Sequence, residues 1–509
     1  MSSFGKKKKK GIGQSFLDII EKLGNKLPDP IVLFMLIAAL ILVASWIAGM
    51  LGVSVKNPAD GETIEAVNLL SGEGLVMILT EAISNFGAFP PLAMVLVVMI
   101  GIGIAEKTGY FEALMKRSLE ITPTFLIIPM VIFVGIISNV AGDAGPVILP
   151  PIAAMIFIRL GLNPIGGIFM AYAATNGAFA ANFILGMTDA LAVAFTRPAA
   201  QLVNPDYTGN IAMNYYFIAV SAIFLMMIIY FVAKKISIPR LGKYDGPPVD
   251  EEPLSKKEKS SLLWANISAL ITVAIIAVAT LLPDGILRNA ETGSILQESP
   301  LMDSAVLLIT ILFFVPGLVF GMLMKNIDGT KGFAKMLGDS MGSMGQYIVL
   351  VFFAAQMLAY FDWSNLGPIL AVGGSDLLQT INLTGIPLFI GFILVVALIN
   401  LLIGSASAKW AILAPVFVPM FMFLGYDPAF TQMLYRIGDS VSNPIAPMMP
   451  FLPLIIMYAQ RYQKDIKLGT VIANLLPYSI ALLISWSVFI IIWYLIGLPV
   501  GPNGPIYLP

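Results

Sequence analysis

The sequence predicts an all-α polytopic membrane protein with nine transmembrane helices and two re-entrant hairpins in an inverted repeat. Three observations support this fold class. The 509 residues are 58% hydrophobic and 12% charged, with a mean hydropathy of +0.89. Apolar runs recur along the chain, and their lengths are close to the roughly 20 residues that cross a bilayer. Polar, Pro-rich stretches break two of these runs, and non-helical backbone at membrane depth must be buried or line a cavity.

The residue types that are missing exclude several classes of chemistry. The chain contains no Cys and no His, which excludes disulfides, thiol chemistry, imidazole metal sites and His-based triads. An intramembrane hydrolase could use only the Ser405 and Lys409 pair, at i and i+4. We therefore expect no enzymatic activity, no cofactor and no nucleic-acid partner.

The distribution of basic residues predicts the orientation of the chain. The run Lys6 to Lys10 precedes the first apolar segment, and the later Lys/Arg clusters lie between apolar segments. Such basic clusters stay in the cytoplasm. The N-terminus is therefore predicted inside and the C-terminus outside. Seven ordinary crossings are predicted at residues 31–51, 90–105, 212–233, 262–282, 304–324, 342–361 and 470–496. The group Glu81, Ser84 and Asn85, just before the second of these, is predicted to be a loop.

Segment length distinguishes the first hairpin from a crossing. Pro146 to Leu160 is short for a span and contains Pro150 and Pro151, which favour an interruption. Residues 122–160 are therefore predicted to enter from the cytoplasm and return. The following stretch, from 164 to about 200, becomes one outward crossing, broken around residues 175–177 and at Asn182.

The second half repeats the pattern. GLNP at 161–164 matches GYDP at 425–428, an offset of 264 residues (425 minus 161). The sequence matches are few, but the order of the elements agrees. A second hairpin at about 385–424 is predicted to enter from outside, and a second broken crossing follows from Pro428 to Arg461. Inverted repeats of this kind place substrate and ions at the bilayer midplane, where the broken helices meet.

Candidate ion ligands occur at the first hairpin tip and at the second break. Asn139 and Asp143 offer oxygens at the tip, so a Na+ ion could bind near Asn139 and Asn443. Asp143 could equally serve as a helix N-cap. Asp439 is a candidate for the proton or Na+ that is coupled to transport. A charge at this depth costs roughly 2.5–3.5 kcal/mol on insertion scales, so it normally faces protein or a wet path.

Candidate substrate ligands occur at the second hairpin tip and on the second broken helix. Ser405 and Ser407 precede a helix whose exposed N-H groups suit a carboxylate. Trp410 offers a flat face, or is a core aromatic. Arg436 lies three residues before Asp439 on one helical face. It either pairs with that carboxylate or holds an anionic substrate through its fork of donors. Asp189 is either a further ligand or the cap of a resumed helix.

These passages resemble a known family. SNVAGDAG, GAFAANFILGMTDAL, GSASAKW and YRIGDSVSNPIAPMMP are similar to signature passages of the AbgT family of p-aminobenzoyl-glutamate transporters and antimetabolite exporters. The resemblance covers nearly the whole chain. It implies a bowl-shaped homodimer in the bacterial inner membrane, with a scaffold and a transport core in each protomer. It also implies transport driven by Na+ or H+, and important residues at Asp189, Ser407, Trp410, Arg436 and Asp439.

This sequence departs from the family's pattern near the proposed cavity, at Pro146, at Thr175 and Asn176, and at 178–181. The substrate expected is a small aromatic carboxylate, either p-aminobenzoyl-glutamate or an exported p-aminobenzoate or sulfonamide. A dicarboxylate carrier of elevator type is a further alternative. The domains predicted are an N-terminal segment (1–30), scaffold helices (31–117), a first repeat core (118–203), scaffold helices with a cytoplasmic loop at 235–260 (204–361), a second repeat core (362–460), and a final helix and tail (461–509).

Overall fold

The structure is a computed structural model. It describes residue 28 and residues 30–56, 63–141, 144–244, 254–282, 284–295, 299–342, 344–447 and 449–508. The basic run at the N-terminus and the candidate ligand Asp143 lie outside the described residues, as does part of the loop predicted at 235–260.

Helices dominate the described chain, and a two-stranded antiparallel hairpin joins β1 (Ser54–Lys56) to β2 (Thr63–Glu65). The helices are α1 (Pro30–Leu51), α2 (Gly72–Gly87), α3 (Pro90–Lys107), α4 (Tyr110–Glu120), α5 (Ile127–Ile137), α6 (Ala144–Arg159), α7 (Pro164–Tyr172), α8 (Met187–Gln201), α9 (Tyr215–Val232), α10 (Ile238–Leu241), α11 (Lys256–Leu281), α12 (Pro300–Asp303), α13 (Ala305–Met324), α14 (Gly329–Gly342), α15 (Gly345–Trp363), α16 (Leu366–Thr380), α17 (Gly385–Asn400), α18 (Ala406–Phe423), α19 (Pro428–Ser442), α20 (Leu452–Gln460) and α21 (Leu468–Ile496).

The segments predicted as ordinary crossings are all helical: α1, α3, α9, α11, α13, α15 and α21. Within the described residues, seven helices are long and apolar enough to cross a membrane, and α18 is one of them. The helical membrane class is therefore confirmed. The total of nine crossings and the re-entrance of the hairpins stay predictions.

Several connections that carry no long apolar run are helical as well: α2, α4, α14 and α16. The prediction of a loop at Glu81, Ser84 and Asn85 was wrong, because these residues lie in α2. The Ser71 side chain starts this helix by accepting a hydrogen bond from the Gly74 N-H, as an N-cap does. A search for runs long enough to span lipid does not find helices of this amphipathic kind.

Each predicted hairpin contains a pair of consecutive helices, α5 with α6 and α17 with α18. The interruption expected at Pro150 and Pro151 is absent, because α6 runs through both; membrane helices tolerate proline where neighbours satisfy the freed backbone groups. The offset of 264 carries Arg159, the end of α6, onto Phe423, the end of α18. The repeated unit is therefore visible in the helix boundaries.

The turn after each hairpin is built in the same way. Gly161 and Gly425 have positive φ angles of 69° and 87°, a conformation that glycine adopts without a steric penalty. The Asn163 side chain accepts a hydrogen bond from the Ile165 N-H at 3.0 Å, and the Asp427 side chain accepts one from the Ala429 N-H at 2.7 Å. Both caps precede a proline that opens the next helix, the position where proline is favoured.

The same offset extends beyond the broken helices to the segments that follow α10 and α21. Leu162 forms an antiparallel bridge with Lys243, and Tyr426 forms one with Tyr507. Residues 162 and 426, and likewise 243 and 507, are 264 positions apart. The repeat therefore includes the helix after each broken segment and the short tail that returns to the turn.

A polar contact joins α4 to α11 outside the apolar segments. Glu120 is bonded to Lys259, and its Oε2 also lies 2.9 Å from Nη1 of Arg117. Hydrogen bonds from Lys259 and then Arg117 lower the pKa of the Glu120 carboxyl below its usual value. The contact brings together two segments whose basic residues predict a cytoplasmic location.

Close backbone approach fixes the packing of α3 against α13. A Cβ atom built on Gly317 would lie 2.7 Å from the Cα of Ala105, and one on Gly101 would lie 2.2 Å from the Thr310 carbonyl oxygen. Glycine lets membrane helices approach this closely, and van der Waals contact then stabilises the pair.

We expect Gly317→Ala to destabilise the protein by about 1–3 kcal/mol, since the new methyl group forces the α3 and α13 backbones apart. The check is the thermal unfolding of purified protein in detergent. Gly373→Ala in α16 is the matched control, because a Cβ there meets nothing within 4 Å. Equal melting temperatures for the two variants would contradict the close packing.

Candidate functional site

The two broken helices contact each other at their interruptions. After α7 the chain forms one π-helical turn at Ala173–Gly177 and then an irregular segment that leads to α8. After α19 it forms a 3-10 turn at Asn443–Ile445. The Asn443 side-chain amide donates to the Asn176 carbonyl at 3.3 Å, and the Ala180 N-H donates to Oγ of Ser440 at 3.2 Å. The two interruptions therefore form one buried centre.

Two buried ion pairs lie at this centre. Nη2 of Arg436 is 2.8 Å from Oδ1 of Asp189, and Nζ of Lys409 is 2.5 Å from Oδ1 of Asp439. All four side chains are 5% exposed or less. The alternative in which Arg436 pairs with Asp439 was wrong, since each has a partner on another element. Pairing is essential here, because one unpaired charge at such depth is strongly destabilising.

Asp189 combines the two roles that the sequence left open. Its Oδ2 accepts a hydrogen bond from the Gly186 N-H at 2.9 Å, which caps the start of α8. Its Oδ1 faces Arg436. A carboxylate at a helix N-terminus is also favoured by the helix dipole. The carboxylate therefore starts the resumed helix and balances the guanidinium at once.

Lys409 and Asn400 belong to the site, although the sequence analysis gave Lys409 a role only as the hydrolase partner of Ser405 and did not identify Asn400. Lys409 is bonded to Oδ1 of Asn400 as well as to Asp439. The Asn400 amide nitrogen lies 2.7–2.8 Å from three acceptors, the Asp439 carbonyl, Oγ of Ser442 and Oδ1 of Asn443. A single Lys and a single Asn in apolar helices were the signal in the sequence, because such groups are buried only with partners. The ammonium of Lys409 bonds to Asn400 and Asp439 and not to the hydroxyl of Ser405, the partner that a hydrolase would need.

Trp410 stacks on a second aromatic ring that the sequence analysis did not identify. Its ring centre is 4.3 Å from that of Tyr435, with 24° between the planes. The Tyr435 hydroxyl donates to the Ala406 carbonyl at 2.6 Å, at the start of α18. Tyr435 precedes Arg436 on α19, so the stack fixes the second hairpin against the helix that carries the charges.

A small cavity lies between these groups, with a volume of about 60 Å³. That exceeds the roughly 10–15 Å³ that one water needs, and it is far below the roughly 300–1,000 Å³ of ligand pockets. Nη1 of Arg436 has no hydrogen-bond partner within the described part of the chain. The cavity therefore offers a buried donor and room for a few waters. Its lining includes Phe179, Ala180, Met187, Thr188, Leu191, Ala192, Ala406, Ser407, Trp410, Tyr435, Arg436 and Asp439.

The structure brings most of the predicted substrate ligands together at this cavity. The cavity is lined in part by Ser407, Trp410 and Arg436. Asp189 forms an ion pair with Arg436. Ser405 does not line it; its Oγ accepts from the Ala408 N-H at 3.3 Å and lies 3.2 Å from Oγ of Ser407. Ser405 is thus the N-cap of α18.

Of the predicted ion ligands, Asp439 lines the cavity while two asparagines lie beside it. The Asn139 amide nitrogen donates to the Ala178 carbonyl at 3.5 Å, and its Oδ1 has no partner among the described residues. Oδ1 of Asn443 already accepts from Asn400. Both asparagines therefore hold the first interruption, and Asn139 keeps one buried oxygen that suits a hard cation. Among the described residues, no cluster of three or more acidic side chains could hold a metal ion.

The fold and the site define this chain as a polytopic helical membrane protein with a deeply buried charged centre. A sequence profile of the AbgT putative transporter family matches residues 15–508. The chain therefore belongs to the AbgT transporter family.

Known relatives support this membership. The p-aminobenzoyl-glutamate transport protein of Escherichia coli (strain K12) is 38% identical over 485 residues, which cover 95% of each chain. The crystal structure of the YdaH transporter from Alcanivorax borkumensis is 36% identical, with a TM-score of 0.89 over 93% of this chain and 100% of that one. MtrF from Neisseria gonorrhoeae, described as one of a class of antimetabolite efflux pumps, is 42% identical, with a TM-score of 0.90 over 96% of this chain and 100% of that one. These names describe transporters, not enzymes.

Removing the ammonium of Lys409 should test the second ion pair. We expect Lys409→Met to lower stability by about 3–5 kcal/mol, because the Asp439 carboxylate is left buried without a counter-charge. Adding Asp439→Asn should recover most of that loss. Thermal unfolding in detergent measures both, with Lys331→Met, at an exposed position on α14, as the control. A single variant that melts with the wild type would show that the pair is not formed.

Proposed function

We propose that this protein is a secondary active transporter that carries p-aminobenzoyl-glutamate and related aromatic carboxylates of folate metabolism across the bacterial inner membrane. The observation that carries the proposal is the buried cavity lined by both Arg436 and Trp410, where Nη1 of Arg436 has no hydrogen-bond partner among the described residues. An arylcarboxylate has the two features that this pair of residues would recognise, a carboxylate and a flat ring. The name of the Escherichia coli relative supports the same substrate.

Each side chain at the centre has a role in this proposal. Arg436 and the hydroxyl of Ser407 bind a substrate carboxylate, because guanidinium donors match carboxylate oxygens. Trp410 contacts the aromatic ring, and Asp189 holds Arg436 in place. Ser405 fixes the tip that presents Ser407. The roles rest on the cavity lining and on the ion pair between Asp189 and Arg436.

Coupling to an ion gradient is assigned to the second ion pair and the neighbouring amides. Asp439 takes up a proton or faces Na+ while Lys409 and Asn400 move away from it, which changes the charge of the centre. A Na+ ion near Asn139 and Asn443 would be held by amide and carbonyl oxygens, the ligands of hard cations. Asp143, predicted at the same hairpin tip, would add a carboxylate.

Movement follows from the repeat. We assign α5–α8 and α16–α20 to a transport core and the remaining long helices to a scaffold, with nine crossings and two re-entrant hairpins in each protomer of a homodimer. The offset of 264 in hairpins, caps and bridges supports an inverted repeat. Such repeats alternate access by moving one unit against another around a central site.

Export is the second candidate. The relative from Neisseria gonorrhoeae, at 42% identity, is described as an antimetabolite efflux pump. The same centre would then bind p-aminobenzoate or a sulfonamide from the cytoplasm. A dicarboxylate carrier with the same architecture is a third candidate, and it would need no aromatic platform at Trp410.

Reconstitution into liposomes should distinguish the coupling ions and the direction of transport. We expect uptake of labelled p-aminobenzoyl-glutamate only when a Na+ or H+ gradient is imposed.

Arg436→Lys should raise the KM about tenfold or more, because an ammonium keeps the charge and loses the fork of donors. Arg461→Lys, on an exposed turn, is the matched control. Equal transport by Arg436→Lys and wild type would refute a substrate role for Arg436, and efflux of a sulfonamide without uptake would favour export.

Transport by the Trp410→Ala variant should distinguish a carrier of aromatic carboxylates from a carrier of dicarboxylates. Loss of the ring removes stacking worth about 0.5–1.5 kcal/mol in addition to buried area, so we expect at least a tenfold rise in KM for an aromatic substrate. Competition by unlabelled succinate and citrate is measured in the same liposomes. If aromatic transport is unchanged in the variant and succinate competes, the dicarboxylate carrier is the better assignment.

A further inference from the structure

A chain of buried hydrogen bonds begins at the ring nitrogen of Trp410 and leads away from the cavity. The indole N-H donates to Oγ1 of Thr196 at 2.8 Å, and it lies 3.2 Å from the Ala192 carbonyl. Thr196 in turn lies 2.6 Å from Oε1 of Gln432. The Gln432 amide nitrogen donates to Oδ1 of Asn214 at 2.6 Å. Each of the four linked side chains is 1% exposed or less.

The two ends of the chain determine the direction of every bond in it. Asn214 donates to the Ala429 carbonyl at 2.8 Å, and a carbonyl only accepts. This contact fixes the orientation of the Asn214 amide, whose oxygen then requires the nitrogen of Gln432. The oxygen of Gln432 therefore faces Thr196 and accepts from its hydroxyl at 2.6 Å, an acceptor role that it shares with the Ala192 carbonyl at 2.8 Å. The lone pairs of Thr196 are left for the indole N-H, which can only donate.

The chain joins four elements of the two repeats. Trp410 lies on α18 and Thr196 on α8, while Gln432 and Ala429 lie on α19 and Asn214 precedes α9. None of the three linking residues, Thr196, Gln432 and Asn214, lines the cavity. Because the indole nitrogen of Trp410 is hydrogen-bonded within the protein, only the carbon atoms of its ring are available to the cavity. With Tyr435 stacked against the ring, the plane of the indole is set from two directions.

We infer that Thr196, Gln432 and Asn214 are positioning residues that hold the Trp410 ring as a fixed flat wall, and thereby select substrates with a planar aromatic ring over substrates with a saturated ring. The inference rests on the proposed function, because it specifies what the cavity at Arg436 accepts. Stacking depends on the relative orientation of two ring planes. A tilted indole therefore loses the preference while still covering apolar area.

The test compares p-aminobenzoyl-glutamate with its cyclohexane-ring analogue as competitors for transport in liposomes. In the wild type we expect the aromatic compound to compete better. Thr196→Val keeps the shape of the side chain and removes the hydroxyl, so the preference ratio should fall about threefold to tenfold. Thr196→Ser retains the hydroxyl and should stay within about twofold of the wild-type ratio. Gln432→Met breaks the same chain one bond further away and should lower the ratio in the same direction.

The controls separate this inference from a general loss of structure and from failure of the proposed function. Thr272→Val removes a hydroxyl that bonds within its own helix α11, and it should leave the ratio unchanged. A merely structural role for Thr196 would weaken both competitors equally and leave the ratio at the wild-type value, which overturns the inference. If the wild type transports neither compound, the proposed substrate class fails. If it transports both with dependence on Arg436 and the ratio never moves, only the positioning role fails.

Discussion

The pairing of buried charge is the constraint on which the centre of this protein depends. Asp189 and Arg436 join the first repeat to the second, and Lys409 and Asp439 join the second hairpin to its broken helix. Helix α19 thus carries one cation and one anion whose partners come from different elements. Because an uncompensated charge costs several kcal/mol in a low-dielectric interior, these elements hold one another in register. The polar backbone of both interruptions is then buried against protein, as lipid requires.

The repeat is symmetric in backbone and asymmetric in charge. At the offset of 264, Lys409 corresponds to Gly145, and Asp439 corresponds to Thr175. No side chain fits at Gly145 without movement, since a Cβ there would lie 2.1 Å from Oγ of Ser138. The first repeat therefore supplies close packing where the second supplies an ion pair. The two repeats therefore differ at this pair of positions, while the charge that the first repeat contributes to the centre comes from Asp189.

Much of the architecture could be predicted because lipid limits what a chain can do. Apolar length identified α1, α9, α11, α13 and α21, and proline with glycine marked the hairpins and the breaks. The partners of the charges could not be predicted. The three-residue spacing of Arg436 and Asp439 suggested that they pair, whereas tertiary packing gives each a partner far away in sequence. Helix α2 was missed because it is amphipathic and carries no long apolar run.

The small volume of the cavity has a consequence for how affinity is measured. Space for a few waters cannot hold an aryl-glutamate, so a substrate of the proposed size would bind only after the hairpins and broken helices had moved apart. The apparent dissociation constant then contains the population of the opened form as well as its intrinsic affinity. If about 1% of molecules were open, binding would look about 100-fold weaker than it is at the opened site. A substitution that loosens the frame could tighten apparent binding without touching the ligand.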